Sequence, residues 1–525
     1  MKVKRPLIAA TAVLTAGLFA SACTAGGGTA GSGAGNVLNV ATTASVTTWD
    51  PIKSFSTEVY YLANVYEPLL WTNPSGAAEK FRPGLAETWE SSADAKTWTF
   101  HLRKGVTFHD GEPMNAAAVK ASIEASAKDG GASFIWAPLK EVATPDEFTV
   151  VLRLKRAAPV DLIASSMYGA WIVSPKALKS GGGYFDKGTD AGTGPYQIAE
   201  YKPNNKVVLR RYDKYWGGWS GSHYGTVVAQ ITPEAVVQQQ KVRSGQVDLA
   251  SALPLENIGQ FAGNKRFAVT ECATLQSYLA FFNTTRPPLD DPKVRRALSY
   301  AIPYDDVLKV GAEGHGTLAR GPVPASVFPH DKGLTPYKYD LAKAKKLLAD
   351  AGKGGGFKLT LSYAAENSQE AKFAPLIKDS FAKIGVDVTL RSILFNQQWE
   401  KAKADPRKAQ DVFLLLYWPT YSDAGSDNLV SLFRSSPKPS FNLSYWKNAE
   451  YDELVDKAGT LTATDPDEAA RVYGQAQRLL LDEAPGAFLY DVRTPFVADK
   501  AVGGFQCNAN YSFSIPFYSL APSAA

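Results

Sequence analysis

The chain has 525 residues, of which 45% are hydrophobic and 11% aromatic, and its formal net charge is +5. That length exceeds what one hydrophobic core normally supports, so we expect two or more lobes. Three of the positive charges, Lys2, Lys4 and Arg5, lie in the first five residues, which leaves +2 on the rest of the chain. A nearly neutral body lacks the electrostatic footprint of a nucleic-acid-binding protein, and we expect no nucleic-acid partner.

The N-terminus has the three parts of a secretory signal. After the basic start come an apolar run from Leu7 to Ala20 and the small residues Ser21 and Ala22, directly before Cys23. This order predicts a signal peptide over residues 1–22, with an apolar run too short to cross a bilayer comfortably. The arrangement resembles a bacterial lipobox, which implies cleavage before Cys23 and a diacylglycerol on its sulfur, although Ala20 stands where Leu is usual. Secretion without lipid, or a retained anchor, is the alternative.

Residues 23–36 follow as an uncharged stretch of Gly, Ala, Ser and Thr that ends in Asn36. Such a composition cannot bury apolar surface and predicts a flexible tether. Its length corresponds to roughly 20 Å on average. We therefore expect a lipoprotein that is held at the outer face of the cell membrane, in a periplasmic space or at the cell surface.

Hairpin patterns dominate the first half of the body. Residues 97–103 alternate apolar and polar side chains like a half-buried strand, and Asn115 stands at the N-cap of a helix over 116–128. Two further hairpins are predicted, from 141–143 to 148–154 and from 196–201 to 206–212, across turns that contain Pro145 and Pro203. These hairpins predict antiparallel sheet.

Helices and strands alternate from the middle of the chain onward. Pro233 is expected at the first position of a helix over 234–244 that Gly245 ends. Asp340 is expected to cap a helix over 341–351, and strands over 357–363 and 386–392 flank a helix over 369–384. This alternation predicts an α/β lobe.

Catalytic and metal-binding patterns are weak. The five histidines are scattered, and no two of them have the i, i+4 spacing of a helical zinc site: His101, His109, His223, His315 and His330. The sequence contains no nucleophile elbow, and we expect no enzyme, no cofactor and no metal. The two cysteines of the body, Cys272 and Cys507, would lie outside the reducing cytosol, where a disulfide and two buried free thiols are both open alternatives.

Seven ordered blocks of sequence resemble the large extracytoplasmic solute-binding proteins of peptide and nickel ABC importers, solute-binding protein family 5. The blocks lie at 66–69 (YEPL), 83–87 (PGLAE), 97–122, 192–201 (GTGPYQIAEY), 245–248 (GQVD), 282–283 (FN) and 291–302 (DPKVRRALSYAI). Most of them serve turns and caps, so they identify the fold rather than the ligand site.

The resemblance implies an α/β fold of two lobes, of the type II periplasmic-binding-protein class, with mixed sheets and a two-strand hinge. It implies that residues 37–272 and 494–525 form lobe I, which includes a hairpin-rich subdomain, and that residues 273–493 form lobe II. Hinge strands are expected near 274–282 and 494–502. A solute is expected in the cleft between the lobes of a monomer, and closure of the cleft would signal the ABC permease in the membrane.

The resemblance also points to ligand-binding residues. On lobe II the family has a strand end that reads roughly Trp-x-x-Asp-Tyr-x-Asp-Pro, whose first carboxylate commonly holds a peptide ammonium group. Here Trp418 is kept, Thr420 replaces that carboxylate, Tyr421 follows, and Asp423 matches the second carboxylate. The neutral hydroxyl of Thr420 cannot attract an ammonium group as the family's carboxylate does. Asp423 is therefore expected to hold an amine if the solute has one.

On lobe I the neighbouring blocks place Tyr60, Trp136 and Tyr168 near positions that line the pocket in relatives. Tyr168 falls where nickel-chelate binders have arginine, which argues against a nickel chelate as the solute. Aromatic residues with few charges favour a pocket that stacks and forms hydrogen bonds.

A peptide-like solute is the first expectation, and an oligosaccharide, another amphipathic solute or a nickel chelate is the alternative. Two rivals differ in kind. A lipid-anchored hydrolase is remote because no nucleophile, base and orienting group come together in the sequence. A receptor that presents ligand to a sensor needs the same closure as an importer.

Overall fold

The computed structural model describes residues 37–74, 76–186, 188–421, 423, 425–438 and 441–523. The predicted signal peptide, Cys23 and the tether therefore lie outside the described residues. Within them, no helix combines the length and the apolar character that crossing a bilayer requires.

The strands of the described residues are β1 (Val37–Thr42), β2 (Leu70–Thr72), β3 (Phe81–Pro83), β4 (Ala86–Ser91), β5 (Thr97–Leu102), β6 (Leu139–Asp146), β7 (Thr149–Leu154), β8 (Tyr196–Lys202), β9 (Lys206–Arg211), β10 (Thr226–Ile231), β11 (Leu249–Ala250), β12 (Phe267–Phe282), β13 (Gly316–Leu318), β14 (Phe357–Ala364), β15 (Val386–Ile393), β16 (Val412–Tyr417), β17 (Gly486–Asp499), β18 (Val502–Gly503) and β19 (Ala521–Pro522).

The α-helices are α1 (Val59–Leu62), α2 (Ala116–Asp129), α3 (Val160–Ile163), α4 (Pro175–Ser180), α5 (Gly182–Phe185), α6 (Ala235–Ser244), α7 (Pro292–Ala301), α8 (Tyr304–Ala312), α9 (Leu341–Asp350), α10 (Ser368–Ala382), α11 (Phe395–Ala404), α12 (Val430–Phe433), α13 (Ala449–Leu461) and α14 (Pro466–Glu483). A π-helical turn, Gly425–Leu429, leads into α12.

A mixed sheet of 11 strands runs through the body in the order β15-β14-β16-β12-β17-β11-β1-β10-β9-β8, with β13 beside β17. Its two long central strands, β12 and β17, pair antiparallel from Phe267 opposite Asp499 to Phe281 opposite Gly486. The register is interrupted between Ala273 and Ser277. A two-strand connection of this kind concentrates bending at the few residues where pairing breaks.

Separate hydrophobic cores lie on the two sides of that interruption. The first core contains Cys272 and Phe496 together with most buried apolar residues of the N-terminal half. Leu275 belongs to a second core and Tyr278 to a third, which cover opposite faces of the sheet around β14 and β16. We use lobe I for the part around the first core and lobe II for the part around the other two.

Lobe I also carries the predicted hairpins. The strands β4, β5, β7 and β6 form a separate antiparallel sheet of 4 strands, and α2 lies beside it in sequence and contact. The Asn115 side chain accepts a hydrogen bond from the backbone N–H of Ala118 at 3.1 Å, which confirms the predicted N-cap.

Two local predictions were wrong in their bounds. The helix after Pro233 begins at Ala235 with Glu234 as N-cap, so Pro233 precedes the helix instead of opening it. The second hinge strand spans Gly486–Asp499 rather than 494–502, because the strand runs from one core into another and its apolar pattern continues on both sides of the hinge.

Candidate functional site

The loop after β16 brings lobe II against lobe I. Its first residue, Trp418, is half-buried, and its ring lies 5.2 Å from the ring of Phe513 in the C-terminal segment. Two residues on, the carbonyl oxygen of Thr420 accepts a hydrogen bond of 3.0 Å from the hydroxyl of Ser166 in lobe I. Tyr421 packs against the first core. The residues that the sequence assigned to the lobe II wall therefore lie at the contact between the lobes.

A buried carboxylate holds this loop in shape. Asp427 accepts hydrogen bonds from the hydroxyl of Tyr417 and from the backbone N–H of Thr420. Burial raises the pKa of Asp427, and these donors oppose that rise because they favour the ionised form. Asp427 thus fixes the conformation of this loop, a role that no sequence pattern had indicated.

Asp423 lies deep in the same loop, with 0% of its surface exposed. Its Oδ1 accepts a hydrogen bond of 2.9 Å from the backbone N–H of Gly425, and its backbone bridges that of Phe328. Across the interface, burial raises the pKa of Asp161 on α3, and the charge of Asp423 contributes to the rise. Two acidic side chains, one from each lobe, therefore influence each other electrostatically.

The lobe I aromatics are more deeply packed than the loop. Trp136 is 4% exposed, and its Nε1–H donates to the carbonyl oxygen of Gly169 at 2.7 Å. Tyr168 is 5% exposed and packs edge-on against Phe55 with ring centroids 5.1 Å apart. In this structure both rings are parts of the first core.

Tyr60 is also buried, and its hydroxyl interacts with the hydroxyl of Thr42. Burial raises the pKa of Tyr60 well above its ordinary value, so the hydroxyl stays protonated and can donate. The ring lines a cavity of about 110 Å³ in lobe I. A buried hydroxyl at a cavity wall is a candidate for contact with a bound molecule.

That cavity is built largely from residues that sequence reasoning missed. Besides Tyr60 it is lined by Thr42, Thr43, Ala44, Thr57, Ser251, Phe496, Ser512, Phe513, Ser514 and Ile515. These residues come from the end of β1, the turn after β11, the hinge strand β17 and the C-terminal segment. Their separation in the chain is the reason for the omission, since neither periodicity nor a motif connects them.

Aromatic rings also meet at another point of the interface. Phe134 of lobe I and Phe441 of lobe II have ring centroids 6.0 Å apart, and Phe441 packs on Trp399 behind it. Phe134 is 38% exposed, which is high for a phenylalanine. The two lobes thus touch through a small exposed apolar contact as well as through the loop after β16.

Ion pairs connect the lobes near the hinge. Lys372 on α10 lies 3.2 Å from Glu256 of lobe I and 3.3 Å from Glu313 of lobe II. His315 contacts Glu271 on β12. His315 lines a cavity of about 210 Å³ that also includes Tyr490, whose buried hydroxyl has no partner among the described residues.

The two cysteines of the body are joined in the structure. Cys272 and Cys507 form a disulfide with their Cα atoms 5.3 Å apart. Cys272 lies on β12 just before the register break, and Cys507 precedes the segment that carries Phe513. The disulfide therefore attaches the C-terminal wall of the cavity to the hinge strand.

One of the scattered histidines, His109, has a structural role. His109 binds Asp190 through one ring nitrogen, and the other lies 2.8 Å from the carbonyl oxygen of Gly194. Among the described residues, no three His, Cys, Asp or Glu side chains gather as ligands for a metal ion.

Known proteins resemble this chain over most of its length. The sequence model of the bacterial extracellular solute-binding proteins, family 5, matches residues 80–440. The glutathione-binding protein GsiB of Salmonella typhimurium is 28% identical over 448 residues, which cover 83% of this chain and 84% of that protein. The dipeptide-binding protein of Escherichia coli K12 is 28% identical over 437 residues, 78% of this chain and 80% of that one.

Solved structures share the fold. The ABC transporter-associated periplasmic binding protein DppA of Helicobacter pylori, in complex with the peptide STSA, matches with a TM-score of 0.80 at 24% identity. The match covers 93% of this chain and 98% of that one. The expected α/β fold of the periplasmic-binding-protein class is confirmed.

Proposed function

Because the chain belongs to family 5 of the bacterial extracellular solute-binding proteins, we propose that it captures a peptide-like solute between its lobes and delivers it to an ABC permease. The family resemblance of the seven sequence blocks is thereby confirmed. Relatives named for glutathione and dipeptides support a solute with a peptide backbone. The observation that carries the proposal is the contact of the Trp418 loop with the C-terminal segment of lobe I, where a cavity already exists.

Binding of such a solute requires the lobes to part. The cavity beside Tyr60 measures about 110 Å³, below the range of about 300 to 1,000 Å³ that small-molecule pockets occupy. The break in the pairing of β12 with β17 supplies the place where the chain can bend. We place the lobe boundaries there, with residues 37–272 and 494–525 on one side and 273–493 on the other.

The two walls of the enlarged cleft would contact the solute in different ways. Trp418 and Tyr421 of lobe II would stack on or cover the solute, and the Tyr60 hydroxyl would donate a hydrogen bond from lobe I. Thr420 contributes through its backbone, which Asp427 fixes in place. Trp136 and Tyr168 shape the lobe I wall from within the first core.

Two acidic side chains near the interface between the lobes indicate where the N-terminal amine of a peptide would bind. Asp423 and Asp161 approach the interface from opposite lobes; burial and, to a smaller extent, the charge of Asp423 raise the pKa of Asp161, and the charge of Lys80 opposes that rise. An ammonium group between the lobes would replace that repulsion with attraction, and it would be held only in the closed form. This favours a solute with a free amine, as a peptide has at its N-terminus.

The mature protein is proposed to start at Cys23 with a lipid on its sulfur and to reach the permease as a monomer on the tether of residues 23–36. The body needs no cofactor or metal for this task and performs no chemistry on the solute.

A thermal-shift panel of peptides, oligosaccharides and nickel chelates tests the proposal. One class should raise the melting temperature, because a ligand at a hundredfold excess over Kd adds about 2.7 kcal/mol to the free energy of unfolding. Native mass spectrometry of gently purified protein identifies a solute that is retained in the cleft. Conversion of the responding compound to product would favour an enzyme instead.

Asp423→Asn then tests the site. For an amine-bearing peptide the Kd should rise at least about tenfold, since a charge-assisted contact is lost from a partly dry site. Asp379→Asn is the matched control, because Asp379 is exposed on α10. An unchanged Kd for both Asp423→Asn and Trp418→Ala would mean that this loop does not line the binding site.

A further inference from the structure

A third cavity, of about 340 Å³, lies in lobe II, away from the interface between the lobes. Its lining contains four cationic side chains, Arg286, Arg391, Lys401 and Lys408, and a single carboxylate, Asp411. They come from four separate parts of the chain: the turn after β12, the strand β15, the helix α11 and the loop before β16. Its volume falls in the range of small-molecule sites, about 300 to 1,000 Å³.

The position of this cavity separates it from the proposed solute cleft. The strand β15 is the edge strand of the large sheet, three strands away from β12. Asp411 precedes β16 and Trp418 follows it, so the six residues of that strand separate the two sites by about 20 Å.

The carboxylate of the cavity is already neutralised. Asp411 pairs with a guanidinium nitrogen of Arg286 at 2.7 Å, and its other oxygen accepts from the backbone N–H and hydroxyl of Thr360 at 2.7 and 2.8 Å. Arg286 also donates to the carbonyl oxygens of Arg407 and Ala409. These contacts explain Arg286 and Asp411 as structural residues and leave the other three cations unaccounted for.

Those three cations lack strong partners. Neither Arg391 nor Lys401 takes part in an ion pair within the described part of the chain, and Lys408 lies 3.9 Å from Asp405 in a loop that Arg407 also contacts. All three side chains are exposed, so water screens their mutual repulsion. They leave an excess of positive charge at the mouth of the cavity, which would attract an anion.

Two buried polar atoms of the cavity that lack hydrogen-bond partners among the described residues also favour a bound anion. The Nε–H of Arg286 is buried and has no acceptor among the described residues. The side chain of Gln410 is 7% exposed, and its amide oxygen is also without a partner there. Buried polar atoms are rarely left unpaired, and a bound oxyanion with a hydroxyl, such as monohydrogen phosphate, offers both acceptors and a donor.

We propose that this lobe II cavity is an oxyanion site that takes a phosphate group, separate from the solute cleft. Arg391, Lys401 and Lys408 supply the attraction at the entrance, and Arg286 donates from the floor. The phosphate comes from one of two sources, free inorganic phosphate or the headgroup of an anionic phospholipid in the membrane to which the protein is proposed to be tethered.

Titration of the full-length protein with inorganic phosphate at low ionic strength tests the shared chemistry. Saturable binding is expected, and the triple variant Arg391→Gln, Lys401→Gln, Lys408→Gln should weaken it by about fivefold per cation removed. The matched control removes three exposed lysines outside the cavity, Lys345, Lys378 and Lys383, each changed to Gln. The control should bind phosphate like the parent protein.

Vesicles distinguish the sources. Sedimentation with phosphatidylglycerol and with phosphatidylcholine vesicles compares the same full-length chains, so the N-terminal apolar run contributes equally. Preference of the parent for anionic vesicles, lost in the triple variant and retained in the control, identifies a headgroup; phosphate binding without that preference identifies the free anion. Absence of both kinds of binding, or equal binding by the triple variant and the control, overturns the proposal. Solute affinity should stay unchanged in the triple variant, so failure here and failure of the proposed function are separable.

Discussion

The two walls of the proposed cleft are built differently. The lobe I wall consists of side chains that also belong to a large hydrophobic core, such as Trp136 and Tyr168, whereas the lobe II wall is a loop in which Trp418 stays half-buried. The buried carboxylate of Asp427 helps to hold this loop in shape. Substitutions in the lobe I wall therefore disturb a hydrophobic core, whereas substitution of Trp418 in the lobe II loop does not.

Buried acids show the same contrast between the lobes. In lobe I, Glu67 accepts hydrogen bonds from the indole of Trp216 at 2.8 Å, the hydroxyl of Thr193 at 2.8 Å and that of Tyr215 at 3.0 Å. In lobe II, Glu370 accepts from the backbone N–H of Ala364 at 2.7 Å, and burial raises its pKa to about 8. Burial also raises the pKa of Glu67 in lobe I and raises that of Asp491 in lobe II to about 7. Lobe II therefore carries two buried carboxyls, Glu370 and Asp491, whose protonation should vary near neutral pH.

The largest expected effect concerns the attachment of the lobe I wall. Cys272→Ser should lower the free energy of unfolding by about 5 kcal/mol, because the disulfide closes a loop with a sequence separation of 235 residues. Denaturant unfolding with and without reductant measures this. Cys507→Ser should have the same effect, and the double variant should add little. Recovery of both cysteines as free thiols in non-reducing peptide maps would contradict the prediction.

Truncation of the two tryptophans compares the walls directly. Trp136→Ala should cost about 3 to 5 kcal/mol of unfolding free energy, because it empties part of the first core and removes one of the two hydrogen bonds that the Gly169 carbonyl oxygen accepts, the other coming from the Ser126 hydroxyl. Truncation is therefore expected to spare stability at Trp418 and not at Trp136. Trp418→Ala should weaken solute binding and change unliganded unfolding by less than about 1.5 kcal/mol. Equal stability losses in the two variants would remove this distinction between the two walls.

The buried acid Glu370 of lobe II predicts a pH dependence. The folded pKa of Glu370, about 8, lies above its ordinary value of 4.5, so the folded state binds more protons than the unfolded state between these limits. Stability should therefore fall as pH rises from about 5 to 8. Glu370→Gln should flatten that decline, whereas Glu453→Gln, which changes an exposed residue of α13, should not. Denaturant midpoints at several pH values test this, and an equal slope in both variants would refute it.

The smallest effect concerns the contact between the lobes. A double-mutant cycle of Phe134→Ala and Phe441→Ala should give a coupling of about 0.5 to 1.5 kcal/mol, as for other aromatic pairs. The cycle is measured on unfolding free energies without and with the responding solute. Coupling only with solute would mean that the lobes part when the cleft is empty. Zero coupling under both conditions would show that these rings do not stabilise the closed form.

Local structure was largely readable from the sequence. The Asn115 cap, the Asp340 cap and the Gly245 stop depend on short-range hydrogen bonds and backbone geometry, so neighbouring residues suffice to predict them. The bounds of the second hinge strand were missed because β17 crosses from one core to another and has apolar residues on both sides of the partly exposed residues 492–494.

The sequence by itself determined the family, the two-lobed α/β fold and the loop after β16, because the seven blocks and the Trp418 position lie in continuous segments. Only the tertiary structure decided that Asp427 supports that loop, that Ser512–Ile515 lines a cavity with Tyr60, and that four cations converge in lobe II. Each of these depends on contacts between residues that are distant in the chain or oriented by packing. Burial and convergence are properties of the folded arrangement, and no local pattern encodes them.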